Sequence, residues 1–383
     1  MFDVDKITQR IQNNNIINIT NQFLDVDNED RYIRHIPTGL RELDEKMEGG
    51  LTPGFTILGA QSSLGKSTLE FQIAFNLLKA GNRVLIFSLE MSKQQIISKM
   101  ISLASYENYR TDNTKWYFSA NESFNPEYMR NLKAGSHFTD YEDAVNAVTN
   151  SFSQLDNQFD VITPRTHQIT ADEIEQYVTE YMKVYPGEKP IVFVDYLQIL
   201  GNEKPNSSDL DKLKYDVNKL HMLAMREDLV VFTICSFNRA SYNKAADMSA
   251  LNGGSVIEYS ADTILYINFA GAGEEGFDAK AAKAKEERDM EIYIDKQRMG
   301  RTGISVPCKF ITKANYFEFD LPEEEDLIND TAEEELITTN DEINNIVPMI
   351  LHSLNEDTIE VVTDEEIDDR AVLPFDDQSF DMK

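Results

Sequence analysis

The sequence predicts an α/β protein: a mainly parallel central sheet covered on both faces by helices. Three observations carry that prediction. Apolar runs without polar alternation, such as Pro190-Ile191-Val192-Phe193-Val194, recur between stretches of helical periodicity, and strands buried on both faces read this way. One such run, 55–58, passes through a turn of small residues into a segment that is apolar at helical spacing. The last strands follow one another with only short turns between them, the pattern of an antiparallel edge.

In order, residues 1–34 are polar with scattered isoleucines (Ile7, Ile11, Ile16, Ile17, Ile19), enough for one short helix and a linker but too little for a core. Thr38 is placed to cap a short helix that ends at Gly49-Gly50. Strands are predicted over 55–58, 83–89, 159–162, 190–196, 229–235, 263–269, 291–296, 306–311 and 316–321, and helices over 69–78, 93–105, 171–184 and 210–226. The polar stretch 106–157, which holds the single tryptophan Trp116, is expected to contain further helices. The predicted organisation is a linker (1–34), one α/β domain (35–321) and a C-terminal tail (322–383).

Charge is distributed unevenly. The net charge is −31; residues 321–383 hold 21 acidic and 2 basic side chains, a net of −19, leaving −12 on the preceding 320 residues. The tail is therefore expected to be largely disordered, and the body is not a general polyanion binder. No apolar run approaches the ~18 residues of a membrane span. The N-terminus lacks a basic segment followed by an apolar one, and the two cysteines, Cys235 and Cys308, fall in predicted strands as reduced core residues. Together these place the protein in the cytoplasm, away from membranes.

The chemistry concentrates in Ala60-Gln61-Ser62-Ser63-Leu64-Gly65-Lys66-Ser67-Thr68. Strand, small-residue turn and helix form a phosphate-binding loop: backbone N–H groups and the helix N-terminus receive phosphate oxygens, Lys66 neutralises charge and Ser67 ligates Mg²⁺. Gly59 stands one residue too early for the usual spacing, so Ala60 takes the first-glycine position. Asp195 ends an apolar strand, where a carboxylate can hold the Mg²⁺ hydration shell. Glu90, in Phe87-Ser88-Leu89-Glu90-Met91, is read as ending a strand that adjoins the loop, placed to activate water. Taken alone, such a glutamate is more often a favourable partner for a helix dipole.

The ordered set Ile36-Pro37-Thr38-Gly39-Leu40, the phosphate loop, Ser88-Leu89-Glu90-Met91, Val194-Asp195-Tyr196-Leu197-Gln198, Asn238-Arg239, Ile257-Glu258-Tyr259-Ser260-Ala261-Asp262 and Lys296-Gln297-Arg298 resembles the motor domain of DnaB-type replicative helicases. These are a ring-forming branch of the RecA-like P-loop ATPases, and the resemblance runs over about residues 36–320. It implies a RecA-like fold, ATP and Mg²⁺ as cofactors, a homo-oligomeric (hexameric) ring and single-stranded DNA as partner. It also implies Glu90 as catalytic carboxylate, Lys66 and Ser67 on phosphate and metal, and Asp195 supporting the metal. Lys296 and Arg298 would reach the neighbouring subunit's γ-phosphate. Arg239, Lys244, Asn252, Gly253, Gly254 and Ser255 would contact DNA. The family also starts its phosphate loop with alanine, which accounts for Ala60.

Three departures stand out. Ser236 replaces a phosphate-sensing glutamine, Asn252 stands where the family carries an arginine, and residues 1–34 are too few for the family's N-terminal collar. They keep open an alternative, a RecA-like ATPase whose nucleotide state controls assembly or partner binding with little unwinding. The tail tip Leu373-Pro374-Phe375-Asp376-Asp377 loosely resembles the acidic ends of bacterial single-strand binding proteins, which makes replication proteins a candidate partner class for the tail.

Overall fold

The computed structural model describes residues 34–111, 113–135, 138–153, 155, 158–201, 208–237, 251 and 254–319. The chain divides into two units, Met1–Leu321 and Pro322–Lys383, and every described residue belongs to the first. The expectations for the N-terminal linker and the acidic tail therefore lie outside the described residues, as do Arg239, Lys244, Asn252 and Gly253.

After a short helix α1 (Arg41–Lys46) the chain enters β1 (Gly54–Ala60), α2 (Lys66–Lys79), β2 (Val84–Ser88) and α3 (Lys93–Arg110). The polar stretch is helical as expected: α4 (Ala120–Phe124), α5 (Pro126–Ala134) and α6 (Phe138–Ser153). Then come β3 (Phe159–Ile162), α7 (Ala171–Val184), β4 (Ile191–Asp195), α8 (Asp209–Glu227), β5 (Val230–Ser236), α9 (Gly254–Ser260), β6 (Thr263–Phe269), α10 (Ala279–Ala284), β7 (Glu287–Gln297), β8 (Ile304–Ile311) and β9 (Tyr316–Glu318).

The strands form one sheet in the order β3-β2-β4-β5-β1-β6-β7-β8-β9. The first six are parallel, and β7, β8 and β9 add the antiparallel edge. Alternate residues of β1 serve opposite faces: Leu58 and Ala60 join the core under α2 and α3, while Phe55 and Ile57 join the core under α7 and α8. This is the period-two geometry of a strand covered on both sides. Because β1, β2, β4 and β5 all run the same way, their C-terminal ends share one sheet edge, where open α/β folds bind ligands.

Two local readings change. Thr38 does not cap α1, whose N-cap is Leu40 without a side-chain cap. Instead the Asp44 carboxylate reaches back from inside the helix to accept from the Thr38 amide and hydroxyl, both at 2.7 Å. Burial pushes the Asp44 carboxyl up against these hydrogen bonds. Second, β2 does not adjoin the phosphate-loop strand: β4 and β5 stand between it and β1. Glu90 stands at the site because β2 pairs with β4, β4 with β5 and β5 with β1, all in parallel.

Candidate active site

The phosphate loop turns sharply at Gly65, which has φ 91° and immediately precedes α2. A Cβ there would sit 2.8 Å from the Phe317 ring, so glycine is required for the left-handed backbone and for the approach of β9 alike. Lys66 opens the helix and its Nζ donates to the Ala60 and Gln61 carbonyls at 2.9 and 3.1 Å. Burial lowers the Lys66 pKa to about 8, with Cys235, Asp195 and Glu90 pulling it back up. Leu64 is buried in the core, whereas Ser62, Ser63, Gly65, Lys66, Ser67 and Thr68 line a cavity of about 420 Å³.

Across that cavity stand Glu90 and Asp195. Their proximity follows from strand register: β2 and β4 are parallel neighbours with Ser88 opposite Asp195, and the Leu89 amide donates to the Asp195 carbonyl at 2.7 Å. Asp195 is 1% exposed. Burial raises its pKa to about 6 against a hydrogen bond from Ser67, and the Glu90 charge adds to the rise. Its Oδ2 is buried without a hydrogen-bond partner. An orphaned hard oxygen beside the Ser67 hydroxyl, facing a phosphate cradle, fits Mg²⁺. No group of three or more His, Cys, Asp or Glu able to hold a metal occurs among the described residues, and phosphate-carried Mg²⁺ needs no all-protein cage. Glu70, one turn beyond Ser67, is fully buried with both oxygens unpartnered; burial and the Asp195 charge push its carboxyl well up.

Sequence reasoning missed several residues at this site. Lys99 lines the cavity, donating to Asn315 Oδ1 at 2.9 Å, with its pKa lowered by burial and supported by Asp195. The readable signal was a lysine between Ile96 and Leu103 on the buried face of α3. Lys283, in α10 of the β6–β7 connection, and Arg288, near the start of β7, donate to the Ser62 and Ser63 carbonyls at 3.3 and 3.0 Å and grip the loop. No motif announces them. Ser236, at the end of β5 opposite Ala60, lines the cavity wall.

Other sequence candidates are brought elsewhere. Lys296 Nζ donates to the Glu258 carbonyl at 2.5 Å, and burial and Arg298 lower its pKa. The Arg298 Nε pairs with Asp262 Oδ1 at 3.0 Å. Neither lines the cavity of its own chain. Gly254 and Ser255 begin α9, with Ser255 exposed.

The model of the DnaB-like helicase C-terminal domain matches residues 35–319. The chain is 27% identical over 295 residues to the replicative DNA helicase DnaB of Geobacillus stearothermophilus, covering 76% of this chain and 58% of that protein. Against the Helicobacter pylori (strain J99) DnaB the figures are 23% over 279 residues, 69% and 51%. The chain thus spans about half the length of the curated relatives it matches. In fold it is similar to a solved, isolated ATPase domain, with TM-score 0.62 and 22% identity over 79% of this chain and 97% of that one. A DnaB-like replicative helicase solved for its interactions with primase gives 0.61 and 22%, covering 78% and 65%. A family match spanning the whole sheet, joined to a phosphate loop faced by Asp195 at the end of β4 and Glu90 two residues past β2, means that this chain belongs to the DnaB-like helicase C-terminal domain family.

Proposed function

We propose that the protein is an ATP- and Mg²⁺-dependent motor that assembles as a hexameric ring and moves along single-stranded DNA during replication. The observation that carries the reading is the convergence of Lys66, Ser67, Glu90 and Asp195 on one cavity. Lys66 and the loop amides bind the β- and γ-phosphates. Ser67 and Asp195 hold the hydrated metal, which supplies charge neutralisation when bound. Glu90 accepts the proton of the attacking water. Lys296 and Arg298 complete a neighbour's site, since a cation supplied in trans is worth ~10³–10⁵ in rate. Arg239, Lys244, Asn252, Gly253, Gly254 and Ser255 form the DNA loop.

A second reading, an ATPase whose nucleotide state controls assembly with little unwinding, is favoured by one observation. Ser236 puts a short hydroxyl on the cavity wall where the family carries a longer amide. ATP hydrolysis measured with and without single-stranded DNA, alongside strand displacement from a forked duplex, separates the two. Stimulation with displacement supports the motor. Hydrolysis indifferent to DNA, with no displacement, overturns it in favour of the second reading.

A further inference from the structure

The two cations assigned to the neighbour's phosphate are not idle within their own chain. Lys296 donates to the Glu258 carbonyl at 2.5 Å and Arg298 Nη2 to the Tyr259 carbonyl at 3.4 Å, both carbonyls belonging to α9. The Arg298 amide donates to the Asp262 carbonyl at 3.0 Å. Its guanidinium, about half exposed, pairs with the Asp262 carboxylate at 3.0 Å. Asp262 is held in turn from behind: its Oδ2 accepts from the Phe55 amide and its own amide donates to the Phe55 carbonyl, both at 2.8 Å. Phe55 lies in β1, the strand that feeds the phosphate loop. Gly254 and Ser255, at the other end of α9, are the described part of the proposed DNA loop.

We propose that Asp262 and the α9 carbonyls form a cis seat that competes with the neighbour's γ-phosphate for Lys296 and Arg298. When the neighbour is loaded the cations leave the seat. When it is empty they return and tie α9, and so Gly254 and Ser255 of the DNA loop, to the end of β7. Asp262 is a positioning residue here, and the inference rests on the trans role proposed above. Coupling arises because each cation can serve only one set of acceptors at a time, the Glu258 carbonyl for Lys296 and the Asp262 carboxylate for Arg298 or the neighbour's phosphate, and a ligand shifts an equilibrium only through its differential affinity for the two states.

The test uses the full chain. Asp262→Asn removes the competing charge while its side-chain oxygen can still accept from Phe55. The half-saturating ATP concentration should fall about two- to five-fold, the range expected for a partly exposed ion pair, and DNA should shift it less than in the parent. A purely structural lesion instead raises that concentration or lowers kcat, so either result with the variant folded by circular dichroism overturns the seat.

Hydrogen exchange on the unmutated protein guards against a variant that fails to fold. A non-hydrolysable ATP analogue should speed exchange over 256–262, and Arg298→Ala should abolish the increase. Unchanged exchange in the parent overturns the proposal. If Arg298→Ala hydrolyses ATP at the parent rate, the trans role itself has failed. If it does not, and Asp262→Asn behaves as the parent, only the seat has failed.

Discussion

Lys66 and Asp195 both sit in the folded protein at a cost that only a ligand relieves. Lys66→Ala should abolish nucleotide binding in a fluorescent-nucleotide titration. Glu90→Gln should retain binding yet lose about 10²–10⁴ in turnover, the range of a lost general base; parent-rate hydrolysis would remove Glu90 from the mechanism. The pH dependence follows from the shifted values. Asp195 loses its charge as pH falls through about 6, and Lys66 loses its own as pH rises through about 8. Association of Mg-nucleotide with the free protein should therefore peak between those limits. Linkage adds a stability prediction. The folded Asp195 value lies above the ordinary 3.8, so the carboxylate penalises folding fully above pH 6, and the penalty vanishes below about pH 4. Asp195→Asn should stabilise the ligand-free protein by ~1–2 kcal/mol at pH 7 while removing the gain from Mg-ATP. A melting midpoint at or below the parent's would contradict this.

At the scale of elements, residues with backbone signatures are legible in the sequence and those held by tertiary contact are not. Gly65-Lys66-Ser67 declares itself because a phosphate loop needs a left-handed glycine and a helix N-terminus in sequence. Asp195 declares itself because an apolar strand stops on it. Glu90 is legible but its route is not, since it depends on pairings between strands more than a hundred residues apart, β2 with β4 and β5 with β1. Lys283 and Arg288 leave no trace because they reach the loop from α10 and β7, more than two hundred residues later in the chain. Arg288 also lies over the Phe310 ring, 5.6 Å from its centroid, which ties the loop to the antiparallel edge. Arg288→Ala should raise the half-saturating ATP concentration about three- to five-fold, the scale of one half-exposed charged hydrogen bond, with kcat near the parent value. An unchanged concentration would mean that β1 and α2 hold the loop unaided.

For the whole molecule, the central question is whether sites are shared between subunits. The sequence marks Lys296 and Arg298 only through resemblance, and their placement away from their own cavity is what a shared site requires. Mixing Arg298→Ala with Lys66→Ala subunits should restore part of the ATPase, because some interfaces then carry both intact halves. No recovery at any ratio, with mixed assemblies verified by mass, would count against sharing. The net charge of −31 bears on the DNA reading in the same way. Most of it lies in residues 321–383, so a chain ending at Leu321 should bind single strands more tightly at low salt, with the difference fading as salt screens it. Equal affinity at low salt would show that the tail does not compete for the DNA surface.

The packing of β9 against the phosphate loop also sets a timetable. Phe317 presses on Gly65, and the Gln72 side chain both donates to and accepts from the Phe317 backbone, at 2.8 and 2.7 Å. The loop's shape thus depends on a strand made about 250 residues later. At about 5–20 residues per second, roughly ten to fifty seconds separate synthesis of the loop from synthesis of its brace. During that interval the loop, then Glu90 and then Asp195 emerge on the ribosome without the strand that braces the pocket. Nascent chains stalled with residue 303 exposed should fail to capture ATP-agarose, and those stalled with residue 319 exposed should succeed.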